Sequence, residues 1–167
     1  MTPFPDPSND FLCDHARLLR MSYRSLTGRD LLDPALDDRE AARQLFEAPF
    51  AVLSHNADPD PILTYGNRRV LDLFELDWAQ LTRMPSRLTA EAPDREERAR
   101  LLAQVTAHGF IDDYSGVRVS SRGRRFRIER AVVWNLIDRE GRHLGQAATF
   151  SRWRPLVMIE AARPADS

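Results

Sequence analysis

Three apolar segments separated by very short turns make up the last third of the chain, and they restrict its fold more than any other feature. Residues 111–120, 124–137 and 142–153 are rich in β-branched and aromatic residues, and the turns S-R-G and D-R-E-G join them. Connections this short leave no room for a crossover, so neighbouring segments must run antiparallel. The pattern predicts an antiparallel meander of three strands.

The middle segment predicts a sheet that is covered on both faces. Apart from Arg130, one parity of this segment is apolar, and its members are Phe126, Ile128, Val132, Trp134 and Leu136. The other parity becomes apolar in the second half of the strand, at Ala131, Val133 and Ile137, so something must pack on that outer face. Arg130 interrupts the pattern because it lies at a β-bulge, forms an ion pair at the mouth of the core, or recognises an anionic ligand.

Helices and a hairpin are predicted before the meander. Residues 1–9 contain three prolines and are predicted to be a loose tail. Asn67 is placed to cap one short helix, and Asp77 with Gln80 forms a capping-box pattern for the next. The predicted elements are helices over 10–27 and 38–47, strands over 50–54 and 62–65, and three further helices that begin near residues 67, 78 and 93, the last ending at Gly109.

Composition narrows the function classes. Cys13 is the only cysteine, which excludes an internal disulfide and suits a reducing compartment. All 24 basic side chains other than histidine are arginine, so chemistry that needs a lysine amine is excluded. The sequence has neither an apolar segment long enough to span a membrane nor a signal-peptide pattern, which predicts a soluble, cytoplasmic protein with no membrane partner.

Known catalytic and metal-binding patterns are missing. The sequence has no nucleophile elbow, phosphate-binding glycine loop or zinc-protease motif, and its four histidines lack ligand spacing. We therefore predict no catalytic motif and no metal site. Residues 118–130 contain six arginines, which raises the question of nucleic-acid binding. The net charge of −1 and the hairpin geometry, which places only Arg125 and Arg127 together on one face, argue against it.

Several motifs resemble one known family. The order of elements, with helices inserted after the second of five strands, is that of a PAS domain. Within this class, the sequence from about Ala48 to Trp153 resembles the MEKHLA domain, a PAS-related family with stand-alone bacterial members. The motifs that carry the resemblance are Y-G-N at 65–67, P-S-R-L-T-A-E at 85–91, G-F-I-D-D-Y-S-G-V-R at 109–118, R-R-F-R-I at 124–128, W-N-L at 134–136 and G-Q-A-A-T-F-S at 145–151.

The resemblance implies a fold and a location for any ligand. The implied fold is an α+β, PAS-like five-stranded antiparallel sheet over residues 48–153, preceded by a helical lead-in over 1–47 and followed by a tail over 154–167. A ligand would lie between the sheet and the short helices. Ser86 occupies the position of the cysteine that forms the flavin adduct in light-sensing relatives, so that photochemistry is not expected, and no cofactor is named. The expected pocket residues are Tyr65, Asn67, Leu71, Phe74, Arg87, Leu88, Phe126, Ile128, Arg130, Trp134 and Phe150.

Two functional hypotheses follow. The first is a non-enzymatic sensory or regulatory module that binds a small molecule, with Arg130 or Arg87 near its polar end, and forms a homodimer. The second is a small cone-shaped α+β enzyme with an Asp/Arg or Asp/His pair in its pocket, for example Asp113 with Arg130. For the dimer, we expect the N-terminal helix to pack on the outer sheet face or on its symmetry mate, and the alternative is that it caps its own sheet in a monomer. The residues assigned to this dimer or cap contact are Leu12, Leu18, Leu19, Tyr23, Ala131 and Val133.

Overall fold

Six strands form one antiparallel sheet in the computed structural model, which describes residues 2–156. Five of them lie in the order β2-β1-β5-β4-β3, and β6 pairs with the first half of β4. The predicted last strand over 142–153 is therefore two strands, because the strand is interrupted at Ser151 and then continues in the same direction along the first half of β4. The strands are β1 (Ala51–Asn56), β2 (Leu63–Gly66), β3 (Phe110–Val119), β4 (Arg125–Ile137), β5 (His143–Phe150) and β6 (Arg152–Pro155).

Five α-helices accompany the sheet within the described residues. Three of them follow β2, as predicted, and two precede β1. Short 3-10 turns at Pro7–Asn9 and Ser86–Thr89 complete the helical segments. The predicted C-terminal tail begins with β6, and residues 157–167 lie outside the described residues. The helices are α1 (Cys13–Thr27), α2 (Asp38–Glu47), α3 (Arg68–Phe74), α4 (Trp78–Leu81) and α5 (Ala92–His108).

β3 and β4 each contain a β-bulge, and the bulge in β4 changes which of its side chains lie on the same face of the sheet. Arg130 has φ 53° and adds one residue to β4, and Asp113, with φ 58°, adds one to β3, so the two strands stay in register. A bulge reverses the alternation beyond it. Phe126 therefore shares a face with Val133 and not with Trp134. The prediction that Phe126 and Trp134 line one face is wrong, although a bulge at Arg130 was one of the alternatives.

The two sheet faces are named here by what covers them. The inner face carries Ile128, Val133 and Phe150 and packs against α5. The outer face carries Trp134, whose ring meets Tyr23 of α1 edge-on with centroids 4.9 Å apart. The N-terminal helix therefore covers the outer face within its own chain. Its apolar surface over Ala16, Leu19 and Tyr23 is buried there, as the pattern of one apolar face predicted.

The first residues differ from their prediction. Residues 10–12 have left-handed φ values of 53–56°, so α1 begins at Cys13 and Asp10 does not cap it. The preceding segment packs against the domain rather than forming a loose tail. The ring of Phe4 meets Phe46 with centroids 5.4 Å apart, and the indole of Trp78 donates a hydrogen bond to the Thr2 carbonyl. These contacts offset the entropy lost on ordering the terminus.

The predicted helix starts after β2 are confirmed. The Asn67 side chain accepts from the Val70 amide and caps α3, and Asp77 forms a reciprocal capping box with Gln80 at α4. Each cap satisfies amide groups that a first helical turn leaves unpaired. α2 begins after an Asp37 cap and covers the predicted residues.

Candidate ligand pocket

A small cavity lies between α5 and the inner face of the sheet. Its volume is about 50 Å³, which is room for about three or four water molecules. Ala148, in the middle of the sheet, remains half-buried because it faces this space. The apolar part of the wall consists of Leu53, Leu63, Phe74, Leu101, Leu102, Ile128, Val133, Ala148 and Phe150.

Two buried amide side chains fasten the C-terminal half of α5 to the sheet. Asn135 of β4 donates to the Val105 carbonyl at 3.0 Å. Gln146 of β5 donates to the Leu102 carbonyl and to Asn135 Oδ1, both at 3.1 Å. Buried amides that are hydrogen-bonded in this way fix the position of a helix. The C-terminal half of α5, which covers one end of the cavity, is therefore fixed to the sheet.

His55 of β1 places a neutral imidazole in the cavity wall. Only 8% of this residue is exposed, and Nδ1 lies 2.9 Å from the Asn56 carbonyl, so Nδ1 carries the proton. Burial, opposed by this hydrogen bond and reinforced by the charges of Arg98 and His143, lowers the pKa of His55 to about 4. Its Nε2 has no hydrogen-bond partner among the described residues. The imidazole is therefore available to a bound molecule.

Two arginines supply positive charge to the same cavity. Arg118 of β3 is 8% exposed, and its guanidinium lies over the Tyr114 ring, 5.6 Å from the centroid. It donates to the Val117 carbonyl at 2.8 Å and to the Tyr114 hydroxyl at 3.3 Å. Gly116 lies between the two side chains, and a Cβ at this position would overlap the Tyr114 hydroxyl. Arg98 comes from α5, and burial together with the charge of Arg118 lowers its pKa to about 10.

Some predicted pocket residues are brought together at this cavity. Phe74, Ile128 and Phe150 line it. Phe126 packs against Phe74 with ring centroids 5.1 Å apart. Leu71 is buried in the main core next to this group. These aromatic and aliphatic residues form the apolar half of the candidate site.

Other predicted pocket residues lie elsewhere. Tyr65 and Trp134 are on the outer face, where His15 and Tyr23 of α1 contact them, because the bulge at Arg130 and the register of β1 and β2 turn them away from the cavity. Asn67 is buried and holds the backbone of neighbouring segments. The remaining three, all exposed, are Arg87, Leu88 and Arg130.

The assignment of residues to a dimer or cap contact needs a correction. Leu19 and Tyr23 of α1 are buried in the core, and Leu12 and Leu18 are partly buried against it. Ala131 and Val133 do not meet this helix, since the bulge places them on the inner face, where Val133 lines the cavity.

Arg87 forms an exposed ion pair with Asp60 at 3.1 Å and has no contact with the cavity.

The acid–base pair of the enzyme hypothesis is not assembled in the described part of the chain. Asp113 and Arg130 both lie at exposed bulges, and no ion pair joins them there. Among residues 2–156, no three histidine, cysteine or acidic side chains are arranged to hold a metal ion. No described helix combines the length and apolar character needed to cross a membrane.

Arg98, Arg118, His55 and Gln146 were missed as site residues. Arg98 lies in the charged run R-E-E-R-A-R, where sequence alone does not separate a side chain that points inward from its solvated neighbours. The signal for Arg118 was stronger. It shares a strand parity with Gly116 and Tyr114, which would place it on the same face as an aromatic residue of the core.

Acidification should destabilise the fold through two histidines. Burial lowers the pKa of both His55 and His15 to about 4, from 6.5. Between these values the unfolded chain binds protons that the folded chain excludes, so the free energy of unfolding falls as the pH falls. We expect a loss of about 1 kcal/mol per histidine between pH 7.5 and 5.5, measured by urea denaturation.

A matched pair of variants tests this assignment. His55→Gln should flatten the pH dependence by about half of the predicted change, because one of the two histidines is removed. His108→Gln, at the exposed end of α5, should leave it unchanged. An unchanged slope in His55→Gln would contradict the neutral, buried imidazole.

Solved structures with this arrangement are PAS domains. The PAS domain of a protein from Colwellia psychrerythraea matches with a TM-score of 0.59 and 13% identity, covering 71% of this chain and 95% of that one. A fungal LOV-domain photoreceptor matches at 0.55 and 17%, covering 86% and 91%. The PAS domain of a LuxR-family regulator from Burkholderia thailandensis, in complex with ethanol, matches at 0.51 and 19%, covering 68% and 95%. The fold is that of a PAS domain.

Within this class the sequence identifies the family. Residues 13–155 match the MEKHLA domain, so the chain belongs to the MEKHLA domain family, and the match includes α1 and α2. Homeobox-leucine zipper protein ATHB-15 of Arabidopsis thaliana is 27% identical over 140 residues, which are 83% of this chain and 16% of that protein. HOX29 of Oryza sativa subsp. indica is 27% identical over 128 residues, 75% and 15%. The chain thus spans about a sixth of the length of these curated relatives.

Proposed function

We propose that the chain is a regulatory module that binds a small molecule in the cavity between α5 and the inner sheet face. The observation that carries this proposal is an apolar wall that also holds polar groups: His55 Nε2, which has no hydrogen-bond partner in the described residues, and two arginines, Arg98 and Arg118. A few polar groups set in an apolar wall are typical of a cavity that binds and orients a small molecule.

The family and its structural neighbours support a sensory role. PAS and LOV domains are sensory modules, and one neighbour is a PAS domain of a transcriptional regulator in complex with ethanol, a molecule of the size that this cavity admits. The pair named for the enzyme hypothesis, Asp113 with Arg130, forms no ion pair among the described residues.

A cavity-filling variant tests the proposal. Ala148→Leu places a larger side chain in the cavity, whereas Ala103→Leu makes the same change on the exposed side of α5. We expect compounds from a diverse set of small metabolites to raise the melting temperature of the wild type and of Ala103→Leu, with no shift in Ala148→Leu. Native mass spectrometry should show the same pattern of bound mass. The proposal fails if no compound binds the wild type, or if Ala148→Leu binds equally well.

The homodimer and the cytoplasmic location stay predictions. The sequence argument for a dimer depended on an N-terminal helix without cover, and α1 buries its apolar surface against its own sheet. Exposed Met21 and Leu144 leave some apolar surface for association. Light scattering at tens of micromolar decides the oligomeric state, and a monomer there ends the dimer hypothesis.

A further inference from the structure

The arginines at the cavity differ from most arginines of this protein. Ion pairs with carboxylates at 4.0 Å or less engage most of the exposed ones, for example Arg68 with Glu47 and Arg87 with Asp60. Within residues 2–156, neither Arg98 nor Arg118 lies within 4.0 Å of a carboxylate. Yet Arg118 is buried and Arg98 is half-buried. A guanidinium removed from water without an anion is costly.

The two guanidinium groups also act on each other. Both side chains line the same cavity, where their like charges repel, and burial together with the charge of Arg118 lowers the pKa of Arg98. The acid nearest to this pair in the hydrogen-bond network is Glu97, and it accepts from the Tyr114 hydroxyl at 3.3 Å instead of from either arginine. Arg118 uses two of its N–H groups on the Val117 carbonyl and Tyr114, so further donors remain. An anion between the two groups would remove the repulsion and satisfy these donors.

We propose that the ligand of this cavity is a small organic acid whose carboxylate is bound by Arg98 and Arg118. This inference rests on the proposed function and specifies its ligand class. The planar fork of a guanidinium matches a carboxylate through paired hydrogen bonds. The apolar wall formed by Leu101, Ile128 and Phe150 receives a short hydrocarbon chain. The cavity is small, with a volume of about 50 Å³, and it therefore favours a short chain over a long one.

Calorimetric titration compares three probes at matched ionic strength. Butyrate carries the carboxylate and a short chain, butyramide has the same shape without charge, and inorganic phosphate has charge without the chain. We expect butyrate to bind the wild type and butyramide to bind at least about tenfold more weakly, since losing a charged hydrogen bond costs about 1.5–3 kcal/mol. Phosphate should also bind more weakly than butyrate, because it has no chain to bury against the apolar wall. Equal binding of butyramide, or phosphate binding more tightly than butyrate, would overturn the proposal.

Charge-removing variants locate the site. Arg98→Gln and Arg118→Gln should each weaken butyrate binding by about tenfold or more. Arg122→Gln, an exposed arginine in the β3–β4 turn, should leave it unchanged. Equal weakening by Arg122→Gln would assign the effect to general electrostatic attraction and contradict the site.

The stability of the ligand-free protein gives a second, independent readout. Arg98→Met and Arg118→Met remove an unpaired charge while keeping the length of the side chain. We expect each to raise the urea midpoint, because binding groups held in a cavity are retained at the expense of stability. Purely structural arginines would instead lower it. If Arg118 variants fail to fold, Arg98→Met and the three probes on the wild type still decide the question.

The results separate this inference from the proposed function. If neutral compounds bind the wild type but not Ala148→Leu, and butyrate does not bind, the cavity is a ligand site and the assignment of an organic acid is wrong. If nothing binds, both proposals fail.

Discussion

Trp134→Ala should destabilise the protein by about 3–5 kcal/mol, which is the usual cost of removing a fully buried aromatic side chain. Trp134 has no exposed surface and lies at the centre of the outer face, where it meets Tyr23 of α1. The truncation would leave a cavity between the helix and the sheet. Urea denaturation with linear extrapolation measures the loss, and a value below about 1 kcal/mol would contradict the packing of this face.

Two further variants show that the loss comes from the contact with α1. Trp134→Phe keeps a ring against Tyr23 and removes an indole N–H that has no partner in the described residues, so it should cost much less than the alanine variant. Tyr23→Ala combined with Trp134→Ala should cost less than the sum of the single changes, because the two rings touch. Additive losses would mean that α1 does not cover this face in solution.

Asn67→Ala should cost about 3–4 kcal/mol, the second large effect that we expect. The fully buried Asn67 side chain accepts from the amides of Val52 and Val70 and donates to the carbonyls of Leu45 and Phe50. One side chain thus joins the end of α2, the start of β1 and the first turn of α3. Removing it leaves two donors and two acceptors buried without partners, and denaturation measures the loss.

A serine at position 67 separates capping from the wider network. Asn67→Ser can still accept from the Val70 amide but is too short to reach both Leu45 and Phe50, so we expect an intermediate loss. Full recovery of stability in this variant would reduce the role of Asn67 to a helix cap. In the folded fraction, ligand binding should be unchanged in Asn67→Ala, whereas a pocket residue would alter it.

Local signals predicted most of the secondary structure, and a single bulge accounts for the largest error. Helix caps at Asn67 and Asp77 and the turns of the meander depend on neighbouring residues, so the sequence pattern reveals them. The faces of β4 depend on one extra residue at Arg130. Without its left-handed backbone the alternation would continue, and Trp134 would face the cavity. Arg130, the charged residue that interrupts the apolar pattern, indicates a bulge. The predicted faces of the residues after it did not include the exchange that a bulge causes.

The candidate site was predicted in its apolar half and missed in its polar half. Phe74, Ile128 and Phe150 could be predicted because core residues on one strand face or helix face share a spacing. Arg98 and Arg118 are far apart in the chain and look like many other arginines, and only the packing of α5 on β3 brings them together. The arginines chosen from the sequence, Arg87 and Arg130, are exposed in the structure.

Nuclear magnetic resonance of the isotope-labelled wild type, titrated with butyrate, tests the central claim most directly. The account predicts that the largest changes in backbone amide shifts occur around the cavity, at His55, Leu101, Arg118 and Gln146, with small changes at Tyr23 on the outer side. Changes concentrated on α1 and the outer face, or spread over exposed arginines with none at the cavity, would contradict it.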